Sequence, residues 1–493
     1  MTVLKSQIAK GAAWMVGLRL SLKSISIIST MILARLLTPL DFGLMALVSS
    51  IYAMIELFKA FSFDMALIQN QKTAREHYDT AWTLNIIFSV IASFFIALCS
   101  KPLSHYYEDP RLTSALLIIA LAVLIDGFNN VGTVEFRKQL NFSKEFKYQL
   151  LVKTGGFCIT IPLAYYLHNY WALLLGMLSS TVISVLLSYI LQSYRPKLSL
   201  KEKNELFSFC SWLYLNNFLQ VINKNSQNFI LGRISGSSKL GIFSLADEIA
   251  NIATTEIIAP INRAAYPGYA KLADNILDLK SIYLKTMGFI AIIGLPCSTG
   301  VAVVAPLLVP LLLGEQWHDT IPIIQVIALA SAADSLNTNA SYIYITLKKQ
   351  YIITRLLLLK TLLLLPLLLI LSEKYGIQGA AFAILLTSTF ILPVNLFKIS
   401  IVLNINWIEY LRCLYRPIIA STMMVCLLNA LIIPTQDQQT FDMLLFLATS
   451  ILIGAFTFCI TLLLLWKLAG NAEDPEYMIL KLLQQKFGKL NRA

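Results

Sequence analysis

Apolar residues along this chain come in runs of about 20, and short polar stretches separate the runs. Each run is long enough to cross roughly 30 Å of hydrocarbon as an α-helix. Strands of an outer-membrane barrel would instead alternate apolar and polar residues. The pattern therefore predicts an all-α polytopic membrane protein with about 14 transmembrane helices. The predicted spans are residues 12–34, 43–68, 81–99, 114–133, 149–167, 171–191, 209–230, 241–263, 284–306, 321–345, 352–371, 377–397, 415–433 and 442–466.

Composition agrees with this fold class. Of the 493 residues, 57% are hydrophobic and only 13% are charged, whereas soluble domains carry about 25% charged residues. The first apolar run follows Lys5 and Lys10 and contains no small-residue cleavage site, so we expect a retained span and not a signal peptide. The seven cysteines form no Cys-x-x-Cys pair, which favours buried apolar cysteines over metal ligands or disulfides. We expect no metal, no cofactor and, without a Walker motif, no ATP site.

Lys and Arg are concentrated in the loops that are cytoplasmic if the N-terminus is cytoplasmic. The positive-inside rule therefore predicts cytoplasmic N- and C-termini. Because the basic charge follows membrane orientation, we expect no nucleic-acid partner. The tail 467–493 is basic and amphipathic, which is typical either of a helix lying on the anionic inner leaflet or of a solvated tail.

One phrase occurs twice in the chain. Residues 32–47 read ILARLLTPLDFGLMAL and residues 230–245 read ILGRISGSSKLGIFSL, with Arg35 aligned to Arg233 and Gly43 to Gly241. At the same offset Trp14 aligns with Trp212, so we infer two parallel halves with a pathway between them. The predicted organisation is an N-terminal lobe (1–191), a cytoplasmic linker (192–208), a C-terminal lobe (209–397), two additional helices (398–466) and the tail (467–493).

The first two helices of each half carry most of the charge inside the spans. A charge at bilayer depth costs about 3 kcal/mol or more, so it normally faces a polar cavity or a partner. We therefore predict a water-filled cavity that binds anionic groups such as a diphosphate or uronic acid. The predicted cavity cations are Arg19, Lys23, Lys59, Lys224 and Arg263. The predicted polar lining or coupling residues are Glu56, Asp64, Asn217, Gln220, Asn228, Asp247, Glu248 and Glu256.

Other interpretations of these charges stay open. Lys59 could only neutralise Glu56, and Arg263 could lie at the inner interface. Glu248 and Glu256 could pair with a cavity cation or carry a coupling proton. For three lysines near the predicted inner edge we favour snorkelling to the interface; they are Lys153, Lys285 and Lys360. We also expect Pro260 to kink the eighth helix.

Four phrases resemble the bacterial polysaccharide transporter family, in particular its colanic-acid-exporter-like (Wzx-type) members. They are LARLLTPLDFGLMAL after the first span, EFRKQLNFSKEF at 135–146, ADEIANIATTEIIAPINRAAYPGYAKLADN at 246–275 and LGEQWHDTIPIIQVIAL at 313–329. The resemblance implies the fold of the multidrug/oligosaccharidyl-lipid/polysaccharide (MOP) exporters, with two six-helix lobes in a V shape and two C-terminal helices. One departure is Gly-Ser-Ser-Lys at 236–239, which replaces Thr-Pro-Leu-Asp in the second copy of the repeat.

The resemblance also implies a function. Members of the family flip undecaprenyl-diphosphate-linked oligosaccharide across the bacterial inner membrane for exopolysaccharide, O-antigen, capsule or lipopolysaccharide biosynthesis. We expect this chain to do so by alternating access. Membrane lipid, a polymerase and other polysaccharide-assembly proteins are candidate partners, and a proton or sodium ion is the candidate coupling ion. The family has no invariant catalytic motif, so we assign no catalytic residue and expect no enzyme.

Three alternative functions stay open. An exporter of lipid II or of small cationic drugs would have the same fold. A membrane-embedded glycan polymerase or ligase would normally need a sizeable outer loop with catalytic residues, and the short outer loops here argue against it.

Overall fold

The computed structural model describes residues 2–59, 67, 75–139, 141–431 and 440–469, and at some positions, such as 203–216, it describes the backbone alone. The described residues are almost entirely helical and include no strand. They fall into two compact units, Met1–Ile242 and Phe243–Ala493. The predicted all-α fold is confirmed, while the tail 467–493, for which a surface helix and a solvated tail were both left open, lies almost wholly outside the described residues.

Unit 1 is built from long helices joined mostly by short turns. The helices are α1 (Thr2–Leu36), α2 (Pro39–Lys59), α3 (Arg75–Tyr106), α4 (Arg111–Asp126), α5 (Val134–Lys138), α6 (Phe142–Leu167), α7 (Trp171–Leu191), α8 (Lys203–Ile234) and the beginning of α9 (Gly236–Ala250). A short 3-10 turn, Val131–Thr133, precedes the five-residue helix α5. α1 packs against α6, α2 against α8, α3 against α4, and α6 against α7.

In unit 2, α9 leads into a π-helical turn, Ala253–Ile258. The helix α10 follows this turn, and five further described helices follow α10. The central helix α11 packs against α12, α14 and α15, and α12 also packs against α13. Large side chains such as Tyr283 and Tyr344 are almost fully buried among these helices. The helices are α10 (Ala259–Lys271), α11 (Ile276–Leu312), α12 (Thr320–Thr346), α13 (Gln350–Leu403), α14 (Trp407–Leu431) and α15 (Thr440–Leu468).

The helices account for the predicted spans. Ten described helices are long and apolar enough to cross a membrane, or up to eleven if the bent pair α4 and α5 is counted as one span. α13 holds two predicted spans, because its 54 residues are broken at Gly376, whose φ is 58°, and would otherwise reach about 80 Å. The remaining two predicted spans, 209–230 and 241–263, fall on α8 and on the α9–α10 segment, which are more polar.

The predicted linker is fastened to unit 1. Residues 192–200 are non-helical and run beside the beginning of α3. The backbone N–H groups of Lys197 and Ser199 donate to Asp79 Oδ1 (2.8 Å) and Thr83 Oγ1 (2.9 Å). The Tyr194 hydroxyl also donates to Asp79. The helix α8 begins within the predicted linker, and the two compact units divide inside α9, so the predicted lobe boundary stays a prediction.

Candidate functional site

The second and seventh predicted spans meet in unit 1 through polar and small side chains. Asn228 on α8 donates from Nδ2 to the Ser50 hydroxyl on α2 at 2.8 Å, and that hydroxyl donates to the Ala46 carbonyl at 2.8 Å. One turn further along α8, Gly232 lies so close to Leu47 that an added Cβ would be 2.5 Å from a Leu47 methyl. A polar contact inside a tightly packed helix pair fixes the register of α2 against α8.

The predicted polar stripe of α8 is divided between burial and exposure. Asn217 and Asn228 are half-buried, whereas Gln220 and Lys224 are exposed. Between them, Asn225, Ser226 and Gln227 are buried, and Asn225 donates to the Val221 carbonyl at 2.9 Å. The exposed part of the stripe therefore presents one cation and one amide at span depth, where a solvated cavity would stabilise them.

The other predicted residues of the first two spans lie on different elements. Arg19 and Lys23 are half-buried on α1, whose packing partner is α6. Glu56 on α2 accepts a hydrogen bond from the Tyr52 hydroxyl at 2.5 Å. Lys59 ends α2, but its side chain lies outside the described residues, as does all of Asp64. The convergence of these side chains on one cavity stays a prediction.

The eighth predicted span in unit 2 is broken into three segments. The π-helical turn Ala253–Ile258 contains Glu256 and is followed two residues later by Pro260. Proline has no N–H to donate to the carbonyl four residues earlier, and π-turns are frequent at functional sites. The expected kink at Pro260 therefore coincides with a local change of helix type, which begins before the proline.

Charged residues around this break are mostly accessible. Glu248 and Arg263 are exposed, and Glu256 is half-buried. Asp247 accepts a hydrogen bond from Asn251 Nδ2 at 2.9 Å. The neighbour of Arg263, Asn262, is instead buried and donates to Thr338 Oγ1 on α12 at 2.7 Å.

The charged group that sequence reasoning missed lies on α12 and α13. Lys360 Nζ donates to both oxygens of Asp334, at 3.2 Å and 3.1 Å, and the Ser388 hydroxyl donates to Asp334 Oδ2 at 3.1 Å. Asp334 is near the middle of α12, so Lys360 does not reach the interface, and the expected snorkelling of Lys360 is wrong. The ammonium is held instead by a carboxylate at span depth, because an unpaired charge there would be costly.

Asp334 begins a polar segment of α12 that holds several helices together. Asn339 accepts from the Tyr269 hydroxyl of α10 at 2.8 Å. Asn337 accepts from Asn395 Nδ2 of α13 at 3.0 Å, and Asn395 in turn accepts from the Tyr344 hydroxyl at 3.0 Å. The signal was present in the sequence as the run DSLNTNASY (334–342) inside an apolar helix.

Comparison with known proteins shows which family this sequence belongs to. The family model described as "Polysaccharide biosynthesis protein" matches residues 32–322. The lipopolysaccharide biosynthesis protein WzxC of Escherichia coli (strain K12) is 24% identical over 423 residues, which are 85% of this chain and 86% of the relative. The succinoglycan biosynthesis transport protein ExoT of Rhizobium meliloti (strain 1021) is 20% identical over 332 residues, 67% of each chain.

A solved structure shows the fold. The lipid II flippase MurJ in an inward closed conformation aligns with a TM-score of 0.73 at 11% identity, and the alignment covers 92% of this chain and 99% of MurJ. Identity at that level relates the folds alone. The family model, by contrast, covers more than half of the sequence. This protein therefore belongs to the polysaccharide biosynthesis protein family and has the fold of the MurJ structure.

Proposed function

We propose that this protein flips an undecaprenyl-diphosphate-linked oligosaccharide from the inner to the outer leaflet of the bacterial cytoplasmic membrane. The match of residues 32–322 to the polysaccharide biosynthesis family carries this proposal. Relatives named for lipopolysaccharide and succinoglycan biosynthesis support a saccharide cargo. The proposal includes cytoplasmic N- and C-termini, and the concentration of Lys and Arg in the corresponding loops supports this orientation.

The membrane-spanning residues give this cargo a physical route. A sugar headgroup loses its hydration in hydrocarbon, and each unsatisfied polar group costs several kcal/mol. Exposed polar side chains at span depth on α8, Gln220 and Lys224, offer replacement hydrogen bonds and a positive charge. With Arg19, Lys23, Lys59 and Arg263 they would attract a diphosphate, while the polyprenyl tail stays in lipid. Glu248 and Glu256 are the candidate sites for a coupling proton or sodium ion.

The function is tested by deleting the gene and following the lipid-linked oligosaccharide. We expect the intermediate to accumulate in the cytoplasmic leaflet and surface polysaccharide to be lost, with both restored by the intact gene. A periplasmic-leaflet position of the accumulated, unpolymerised lipid would contradict the proposal and would indicate a polymerase or ligase. An unchanged polysaccharide with newly acquired drug sensitivity would instead indicate the multidrug exporter.

A further inference from the structure

The two copies of the repeated phrase contact each other at the predicted outer end of unit 1. A Cβ added to Gly43 would lie 1.5 Å from the carbonyl oxygen of Ser237, and a Cβ added to Gly241 would lie 1.9 Å from the carbonyl oxygen of Pro39. In the repeat, Ser237 aligns with Pro39 and Gly241 aligns with Gly43. The contact is therefore reciprocal, and each glycine packs against the partner copy's backbone one turn earlier.

Two polar pairs close the same contact on the outer side. Arg233 Nη1 donates to Glu108 Oε1 at 2.6 Å, and the Ser237 hydroxyl donates to Asp109 Oδ2 at 2.8 Å. Both acceptors belong to the turn between α3 and α4, whereas Arg233 lies in the last turn of α8 and Ser237 in the first turn of α9. We call this set the outer clasp, and it consists of Gly43, Glu108, Asp109, Arg233, Ser237 and Gly241.

Asp109 is firmly held within its own half of the clasp. Its carboxylate accepts from Arg111 Nε at 2.9 Å and Arg111 Nη2 at 2.6 Å, and the Arg111 guanidinium lies over the Tyr170 ring at 5.7 Å. Asp41 accepts from the Tyr170 backbone N–H at 3.0 Å. The turns that begin α2, α4 and α7 thus form one connected support for the acceptor side.

The contacts that cross the clasp are of a weaker kind. The Glu108 and Arg233 side chains are 73% and 43% exposed, and exposed ion pairs contribute little to stability and are screened by salt. The Ser237 hydroxyl contributes one neutral donor. The glycines meet backbone to backbone, which needs no interlocking side chains, as in close-packed membrane helix pairs. A contact of this kind can separate and form again without rearranging either side.

We propose that the outer clasp is a reversible seal, which is closed in this structure and must open for the sugar headgroup to leave on the outer side. This inference rests on the proposed flippase function and adds the residues that gate release. The α8–α9 turn then moves away from the α3–α4 turn in each transport cycle. The Asp109–Arg111 support stays intact, because all of its groups lie on one side of the seal.

The test bridges the clasp with a reversible covalent link. In a variant whose seven cysteines are replaced by alanine, Glu108→Cys and Arg233→Cys are joined by a short bifunctional methanethiosulfonate. We expect export of surface polysaccharide to fall at least tenfold and to recover when a reductant cleaves the link. The matched control is His105→Cys with Glu108→Cys, which the same reagent bridges within one turn, and its export should stay within twofold of the unbridged protein. Equal export by the bridged clasp and this control would overturn the proposal.

A second measurement does not depend on export. Ser237 is 9% exposed in the closed clasp, so Ser237→Cys should react slowly with a membrane-impermeant maleimide in proteoliposomes. Adding undecaprenyl diphosphate as the probe should raise the labelling rate at least threefold, and bridging residues 108 and 233 should abolish that rise. A labelling rate that changes neither with undecaprenyl diphosphate nor with the bridge would overturn the proposal that the clasp is a reversible seal. Loss of export in the unbridged parent, together with substrate-dependent labelling, would count against the flippase function and not against the clasp.

Discussion

The α12–α13 pair of unit 2 and the α2–α8 pair of unit 1 accommodate polar side chains at span depth in different ways. In unit 2, Asp334 and Lys360 neutralise each other, and Ser388 adds a third hydrogen bond. In unit 1, the α2–α8 contact is made by the neutral pair Ser50 and Asn228, and Lys224 of the same stripe is exposed. Paired charges hold helices together, whereas an exposed cation is free to meet an anionic ligand. We therefore propose that the Asp334–Lys360 pair serves to hold its helices together and that Lys224 serves to bind cargo.

The largest effect should come from breaking the pair in unit 2. Replacing Lys360 by methionine leaves the Asp334 carboxylate without its counterion. Because the two side chains are 23% and 30% exposed, we expect a cost below the about 3–5 kcal/mol of a fully buried pair. We expect Lys360→Met to lower sharply the midpoint of thermal unfolding of the purified protein in detergent.

The matched control removes both charges. In Asp334→Asn/Lys360→Met the asparagine keeps an acceptor for Ser388, so we expect most of the lost stability to return. A double variant as unstable as Lys360→Met would show that the pair is not the source of the effect. Full stability with lost export would instead assign the pair a role in transport.

A loss of transport without a loss of stability should follow from changing Lys224. Lys224→Glu reverses the charge of an exposed side chain, so folding should be unchanged. We expect export to fall at least about tenfold, equivalent to about 1.4 kcal/mol of lost binding or transition-state stabilisation. The measurement is surface polysaccharide in the deletion strain, normalised to the amount of folded protein.

Two variants control for this charge reversal. Lys224→Arg keeps the charge and should retain most of the export. Lys101→Glu places the same change on an exposed residue near the end of α3 and should have little effect. Normal export by Lys224→Glu would remove Lys224 from the cargo path and would weaken the contrast between the units.

The smallest effect concerns a charge at the end of the spans, Asp109. Burial raises the pKa of the Asp109 carboxyl, but hydrogen bonds from Arg111 and Ser237 outweigh it, and the pKa lies below its ordinary value. A lowered pKa contributes stability above the ordinary carboxyl pKa of about 3.9 and loses it as the pH falls through the folded-state value. Asparagine keeps an acceptor for Ser237, so we expect Asp109→Asn to cost only about 1 kcal/mol at pH 7.

The pH dependence provides the check on that interpretation. The difference in unfolding midpoint between Asp109→Asn and the parent should shrink below pH 4, because the parent carboxylate becomes protonated there. A difference that stays constant with pH would attribute the loss to packing and not to charge.

Much of the fold could be predicted because a run of about 20 apolar residues is long enough to cross the membrane as a helix. The repeated phrase was visible as well, and Gly43 and Gly241 were correctly aligned. Their reciprocal contact could not be predicted, because a sequence offset does not show whether equivalent residues meet. The kink at Pro260 stays a prediction, and the π-helical turn that precedes it could not be predicted, because a proline in a helical pattern does not specify which turn changes its hydrogen bonding.

The candidate site was less predictable. Lys360 was assigned to the interface because it was counted from the nearest helix end, and its partner Asp334 is 26 residues earlier on another helix. The amides at 337 and 339 gave a local signal, since two asparagines within three residues of an apolar helix need partners. Arg19, Lys23 and Lys224 are candidates because a charge inside the bilayer is energetically costly. That cost shows that each side chain needs a polar cavity or a counterion, but it does not show which of the two surrounds it.

The reciprocal glycine contact places a shared limit on how this lineage can vary. Duplication supplied both positions at once, yet a mutation afterwards changes only one of them. Since a methyl group at either residue 43 or residue 241 would meet the opposite carbonyl oxygen, neither copy can gain a side chain by itself. In related proteins that keep this contact, both positions should remain glycine. A bulkier residue at one of the two positions should coincide with a displaced turn at the other.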